Sequence, residues 1–333
     1  MAVSVRDVAE RAGVSLGTVS NALNRPDKVA ASTLERVRAA IDELGFVRND
    51  VARTLRAGRS NTIGLVVLDA GNPFFTDLAR GAQERAAEEG VSVLLGDSGD
   101  DPDREGSYLD LFEEQRVRGV LISPIGDVAD RLRRLQASGT ATVFVDRSGA
   151  DLPFPSVFVD DVEGGRIAVE HLLSLGRRRI AFVGGPMGLQ QVTDRLAGAR
   201  AAVASVSGAS LEVIETSALT VEHGRAVATA LLARAAADRP DAVFAANDLL
   251  AIGLLQGAVM LGTLRVPEDL ALIGYDDIAF ASSTVVPLSS VRQPSRELGR
   301  TAVELLLSAA DGDDEPRRVQ FEPQLVARRS TTG

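Results

Sequence analysis

The stretch DAGNPFFTDLARG, residues 69–81, sets Phe74 beside Phe75 in a chain that has only 11 phenylalanines among 333 residues. Adjacent side chains do not share a helix face, and a strand sends them to opposite sides, so at most one ring belongs to ordinary core. Asn72 and Pro73 have the form of a helix cap and a first helical residue, which puts both rings at a helix mouth just after the apolar run TIGLVVL. Asn72, Asp146, Asn247 and Asp276 all fall at the ends of such runs. Taken singly, an Asp ending a strand is more often a cap than a ligand. Rings and strand-end amides and carboxylates together offer apolar contact and directed hydrogen bonds, the chemistry of binding.

The composition removes most alternatives. There are no cysteines, so thiol chemistry is excluded, and the only imidazoles, His171 and His223, lie far apart in the sequence, so a histidine-built metal site is not expected. Lys28 is the single lysine. No Walker A lysine or Schiff-base lysine exists elsewhere, and no G-x-S-x-G occurs. The expectation is a protein that is not an enzyme and carries no cofactor.

These residues need elements to hold them. From residue 61 short apolar runs alternate with helical stretches: TIGLVVL, VSVLLGD, GVLIS and ATVFVD, then SVFVD, RIAFVGG, LEVIE, AVFAAND and LALIGYDD. Apolar runs separated by helices predict parallel strands in crossover units, and their number predicts two sheets, an α/β architecture. Ligands on such sheets sit beyond the carboxyl ends of the strands. A Rossmann dehydrogenase has the same layout, but no G-x-G-x-x-G opens a helix after the first strand, and VGGPMG lacks the spacing. The run Arg177, Arg178, Arg179 before a strand reads as a solvated turn.

The first sixty residues are a separate electrostatic object. They carry ten Lys+Arg against seven Asp+Glu, or +3, whereas the remainder carries 26 against 39, or −13. Val5, Val8, Ala9 and Ala12 share one helical face, and Gly13 ends that helix. Ser15 caps a second short helix, in which Thr18, Val19, Ala22 and Leu23 turn one way and Leu16, Gly17, Ser20 and Asn21 the other. Ser32 and Glu35 form a capping box for a third, with Leu34, Val37, Ile41 and Leu44 as its buried stripe. Three short helices with a tight turn between the first two make a helix-turn-helix layout, whose second helix enters the major groove.

Over DVAERAGVSLGTVSNALNRPDKVAASTLERVRAAIDELGFVRNDVARTLRAG the chain resembles the head of the lactose-repressor (LacI/GalR) family of bacterial transcription regulators. That resemblance implies that Ser4, Ser15, Thr18 and Asn24 hold phosphates or flanking bases, and that Leu16, Gly17 and Asn21 choose the operator sequence. Family members usually carry Arg or His where Asn21 stands; Asn prefers adenine and Arg guanine, so an altered operator is expected. In the family the segment matching residues 49–58 folds only on DNA, pairs with its twin and drives a leucine into the minor groove; Asn49 is a possible cap for it, and Ala52 and Leu55 match its contact positions. Ten residues are too few for a stable isolated helix, since roughly 12 to 15 are needed.

Residues 61 to 330 resemble the periplasmic sugar-binding fold that this family shares with ribose- and galactose-type binding proteins. The matching motifs are NPFF at 72–75, VDR at 145–147, RLAG at 195–198, AND at 246–248, GYDD at 274–277 and RQP at 292–294. By the resemblance the two rings sandwich or line one face of a sugar. Asn72, Asp146, Arg147, Arg195, Asn247, Asp276 and Gln293 form a set suited to a polyol, closest to that of pentose binders, whereas purine-sensing relatives lack the Asp-Arg pair. Leu219 stands where relatives often close the pocket with Phe or Trp.

The implied fold is a helix-turn-helix three-helix module (1–48), a hinge helix and linker (49–60), and a two-lobed, parallel-sheet, type I periplasmic-binding-protein-like effector domain. Its N-terminal lobe is 61–159 with 292–320, and its C-terminal lobe 160–291 with 321–330. The expected function is a sequence-specific regulator of sugar-utilisation genes, a cytoplasmic homodimer on palindromic double-stranded operator DNA, switched by a small sugar effector. The alternative within the family is a non-sugar effector such as a nucleoside or purine, or a corepressor.

Overall fold

The computed structural model describes residues 3–46, 60–126, 128–149, 152–260, 264–312 and 316–333, and leaves the side chain of Asn24 undescribed. The chain divides into two compact units, Met1–Ser60 and Asn61–Gly333.

In the first unit α1 spans Val5–Ala12, α2 Leu16–Asn24 and α3 Ala31–Leu44. Ser4 caps α1 in a capping box with Asp7, and Gly13 ends it at φ 63°, a backbone conformation a Cβ disfavours. Ser15 caps α2 by accepting from Thr18 N at 3.1 Å. The core joins Val8, Ala9 and Ala12 to Val19 and Ala22 of α2 and to Val37 and Ala40 of α3, with Phe46 behind. Two expectations are corrected. Val5 is exposed rather than buried, because it opens α1 where the helix leaves the core. The Ser32–Glu35 box does not form: α3 begins at Ala31, so Ser32 is already inside the helix, and its N-cap Ala30 has no side-chain bond.

The second unit holds two six-stranded sheets. The first contains β1 (Thr62–Val67), β2 (Ser92–Asp97), β3 (Gly119–Ile122), β4 (Ala141–Val145), β5 (Ser156–Val159) and β11 (Arg318–Phe321), in the order β11-β5-β4-β3-β1-β2. The second contains β6 (Arg179–Gly184), β7 (Ser210–Glu215), β8 (Ala242–Ala245), β9 (Ala271–Asp276), β10 (Ser289–Arg292) and β12 (Gln324–Val326), in the order β12-β10-β9-β8-β6-β7. Pairing is parallel throughout except between β10 and β12. All nine apolar runs are strands, buried on both faces at the sheet centres as parallel strands require. The chain changes sheets three times, after β5, after β10 and between β11 and β12.

Helices cover the sheets, and two of them fix the site. The Asp161–Ser174 and Gln190–Ala204 helices cross backbone to backbone: a Cβ on Gly165 would stand 2.0 Å from Arg195 O, and one on Gly198 1.9 Å from Val162 O. Only glycine permits that approach. The arginine run is not a solvated turn: Arg177 Nη2 donates to Pro267 O at 2.5 Å and Arg178 Nη1 to Leu173 O at 2.8 Å, while Asp241 accepts from the backbone N–H of Arg178 and Arg179. It staples loops that would otherwise leave carbonyls unpaired. Among the described residues no helix is long and apolar enough to cross a membrane.

Candidate functional site

Two surfaces are candidates, one in each unit. On α2, Val19 is buried and Ala22 nearly so, which turns Leu16, Gly17 and Asn21 outward; Leu16 is 48% exposed. Ser4 and Ser15 are exposed and serve as helix caps, and Thr18 bonds the Ser15 hydroxyl at 2.9 Å. Asn49, Ala52 and Leu55 lie outside the described residues.

The second surface is a cavity of about 240 Å³ at the carboxyl ends of the strands. Asn72, Phe74, Phe75, Asp146, Arg195, Leu219, Asn247 and Asp276 all line it. Each arrives by its element. Asn72 caps the Pro73–Glu88 helix after β1, with Oδ1 accepting from Phe74 N at 3.0 Å. Asp146 follows β4, Asp276 ends β9, and Asn247 follows β8 with Oδ1 accepting from Leu250 N at 2.9 Å. Phe74 and Phe75 both belong to the hydrophobic core, against the expectation that one at most does. The helix mouth sits where core and cavity meet, so both rings are buried and still face the cavity. Their centroids are 5.0 Å apart at 72°, an edge-to-face pair that presents a face and an edge rather than a parallel slot.

The polar groups are wired together from the two sheets. Asn72 Nδ2 donates to Asp276 Oδ2 at 3.3 Å, and Gln293 Nε2 donates to Asp276 Oδ1 at 2.8 Å. Gln191 Nε2 donates to Asp146 Oδ2 at 2.9 Å, and Asn247 Nδ2 to Leu219 O at 3.1 Å. Arg195, 4% exposed, gives Nε to Asp161 Oδ1 and Nη1 to Ala246 O, both at 2.7 Å, and lies 3.7 Å over the Tyr275 ring. A buried guanidinium requires such a carboxylate, because an unpaired charge in the interior is strongly unfavourable. Asp248, fully buried beneath the cavity, accepts from Ile278 N at 2.8 Å and Ser290 Oγ at 2.7 Å and so fixes the turn that carries Asp276.

Burial dominates the titration here. It pushes the Asp146 carboxyl up to about 8, helped by the Asp161 charge and opposed by Arg195 and the Gln191 bond. Asp276 is pushed up to about 6 by burial against the pull of Arg195, Gln293 and Asn72. Asp100 is pushed up to about 6 by burial and by the Asp69 and Asp97 charges. Burial lowers the Arg195 guanidinium, but the Asp161 charge and the other acids around it raise it overall. Asp100, Asp146 and Asp276 all adopt positive φ, at 57°, 59° and 104°, conformations that non-glycine residues hold only where the surroundings fix them.

Two residues of the expected set stand elsewhere. Arg147 lines a neighbouring cavity of about 210 Å³, donating from Nε to Gln190 Oε1 at 3.1 Å and from Nη1 to Gly126 O at 2.8 Å. Gln293 lies behind Asp276 and touches the cavity only through it. The sequence reading missed Gln191, Asp100 and Asp69 in the lining and Asp161 behind it. Asp161 had a signal: a buried arginine calls for a buried acid.

The comparisons agree with this architecture. A family model described as "Bacterial regulatory proteins, lacI family" matches residues 4–49, and one described as "Periplasmic binding protein-like domain" matches residues 169–331. The chain is 33% identical over 332 residues to the HTH-type transcriptional repressor PurR of Vibrio campbellii, covering 98% of each chain. It superposes on the lac repressor dimer bound to operator and the anti-inducer ONPF with TM-score 0.85 and 30% identity, covering all of both chains. A LacI family transcriptional regulator from Enterococcus faecium with bound ribose gives TM-score 0.73 and 30% identity over 81% of this chain and 98% of that one. The chain belongs to the lacI family of bacterial regulatory proteins, as a DNA-binding transcriptional repressor with a ligand-binding effector domain.

Proposed function

We propose that the effector is a small polyol, pentose-like in size, and that its binding between the two sheets lowers affinity for a palindromic operator upstream of sugar-utilisation genes. The observation that carries this is the convergence of Phe74 and Phe75 with Asn72, Asp146, Arg195, Asn247 and Asp276 around one cavity of about 240 Å³. Aromatic faces suit the apolar C–H faces of a sugar, and paired acids and amides suit its hydroxyls, which are costly to bury without partners. A relative that holds ribose supports the same choice. A nucleoside or purine is the second reading, favoured by one observation: Arg147, which completes the Asp-Arg pair of pentose binders, is turned to the neighbouring cavity. A thermal-shift screen of pentoses, hexoses and nucleosides separates the two. A gel shift on the gene's own upstream DNA, with and without the binder, then gives the sign; a binder that tightens the operator complex reverses the proposal to a corepressor.

The working form is a homodimer. Leu94 and Leu95 lie exposed on β2, the edge strand of the first sheet, and Phe280 and Val285 are 62% and 73% exposed at the second, apolar surface that a second copy would cover. The lac repressor relative is itself a dimer. Light scattering that finds a stable monomer at operator-binding concentrations contradicts this. Residues 49–60 connect head and body, and Leu55 acts as a minor-groove wedge, where unstacking a step costs a few kcal/mol that contacts to the bent duplex offset. Leu55→Ala therefore weakens operator binding in a titration at fixed salt and leaves effector affinity unchanged.

A further inference from the structure

The cavity wall is one-sided in charge. Asp69, Asp100, Asp146 and Asp276 line it, and Arg195 is the one cationic side chain among the described lining residues. Arg195 is paired through two of its nitrogens: Nε contacts Asp161 at 2.7 Å, and Nη1 donates to Ala246 O. Arg147, the nearest other guanidinium in the sequence, is bonded to Gln190 and Gly126 O outside this lining.

Two carboxyl oxygens in the wall are unmet. Asp146, 3% exposed, leaves Oδ1 buried without a hydrogen-bond partner, and Asp100 leaves its own Oδ1 in the same condition. They stand beyond different strands: Asp146 follows β4 and Asp100 the end of β2, with β3 and β1 between them in the sheet. An ionised carboxylate only accepts, and a protonated one donates a single hydrogen. A ligand seated there must bring an O–H or N–H group to Asp100 and a group that can take or give a hydrogen to Asp146, which a hydroxyl does in both cases. An anionic group would meet lone pairs and the carboxylates of Asp69, Asp100 and Asp276, with Arg195, itself paired to Asp161, as the one cation of the described lining.

We propose that Asp100 is an effector contact that, together with Asp146, restricts this cleft to uncharged, hydroxyl-rich molecules and rejects their phosphorylated and carboxylated counterparts. The inference rests on the reading of the cleft as an effector site but not on the effector being a sugar. Such a regulator responds to the neutral molecule, and a product that carries a phosphate or carboxylate does not signal back through this site.

The test uses the full chain and matched pairs in titration calorimetry: ribose with ribose 5-phosphate, glucose with glucose 6-phosphate and glucuronate, adenosine with adenosine monophosphate. In the pair that binds, the neutral member is held tighter by at least about 100-fold. Asp100→Asn, which keeps the shape and removes the charge, weakens the neutral ligand and narrows that gap to about 10-fold. A phosphorylated or carboxylated member that binds as well as its neutral partner overturns the charge rule, even if sugars are the effectors. Sugar pairs that stay silent while adenosine outbinds its monophosphate uphold the rule and overturn the polyol reading instead. A gap unchanged in Asp100→Asn removes Asp100 from the site.

Discussion

The head and the cleft hold their recognition groups in opposite ways. On α2, Leu16, Gly17 and Asn21 face outward, and the head's core lies behind them in Val19 and Ala22. In the cleft the groups are buried, and their bonds are made within the chain: Asn72 to Asp276, Gln191 to Asp146, Arg195 to Asp161. The cause is solvent. An exposed polar group waits for its partner hydrated at little cost, whereas a buried one left without a partner is costly, so most of the cleft's groups are bonded within the chain. Substitutions in the head should thus change binding and spare stability, while those in the cleft should change both.

The largest effect is expected at Arg195. Arg195→Met leaves Asp161 buried without its cation and should lower unfolding free energy by about 3 to 5 kcal/mol, read from urea denaturation. Arg195→Met with Asp161→Leu should recover much of that loss, because two apolar groups of similar size remove the stranded charge. The double variant still fails to bind effector if Arg195 touches it. A single variant of unchanged stability would make the cleft resemble the head and dissolve the contrast.

The pH response sharpens the comparison, with opposite signs at the cleft acids and at Asp7 of the head. The folded-state pKa of Asp146 is raised to about 8, so the native body keeps a proton that an unfolded aspartate, at about 3.9, has lost. Its contribution is fully present below about pH 4 and disappears as pH rises toward 8; Asp276, raised to about 6, loses its share earlier. In the head Asp7 is shifted down by its bonds from the Ser4 backbone and hydroxyl, so its contribution holds at neutral pH and is lost only on acidification. The urea midpoint of the body transition should fall between about pH 5.5 and 8, and Asp146→Asn, an uncharged isostere, should flatten that fall. A pH profile that is the same in wild type and Asp146→Asn would mean that Asp146 is ionised at neutral pH.

How far the sequence was legible follows from the same physics. Nine strands were readable as apolar runs: seven because parallel strands in the sheet interior are buried on both faces, and the edge strands β2 and β7 because they keep apolar residues although partly exposed. β10, β11 and β12 were not. In β10 the buried positions include Ser289 and Ser290, whose hydroxyls bond to Arg328 O and Asp248, so a core strand carries polar letters. β11 and β12 form sheet edges and are half exposed. In the cleft, Asn72, Asp146, Asn247 and Asp276 were legible because strand ends marked them. Gln191 opens a helix and Asp100 sits in the turn after β2, where nothing local separates a ligand contact from a surface residue. Asp161 was hidden beside Asp160, the actual cap of its helix, because adjacent aspartates at a helix start read as one capping signal.

The smallest expected change in stability carries a large change in specificity. Asn21 is exposed on α2, so Asn21→Arg should shift unfolding free energy by no more than about 0.5 kcal/mol. In the major groove the two side chains are not equivalent: Asn pairs in bidentate fashion with adenine N6 and N7, Arg with guanine O6 and N7, and each match discriminates by about 1 to 3 kcal/mol. Selection from random DNA should therefore return adenine under residue 21 for the wild type and guanine for Asn21→Arg, with the rest of the half-site kept. Effector affinity measured without DNA should be the same for both proteins. If the substitution left the selected base unchanged, residue 21 would face the backbone rather than a base edge, and the outward face of α2 would be read through Leu16 and Gly17 alone.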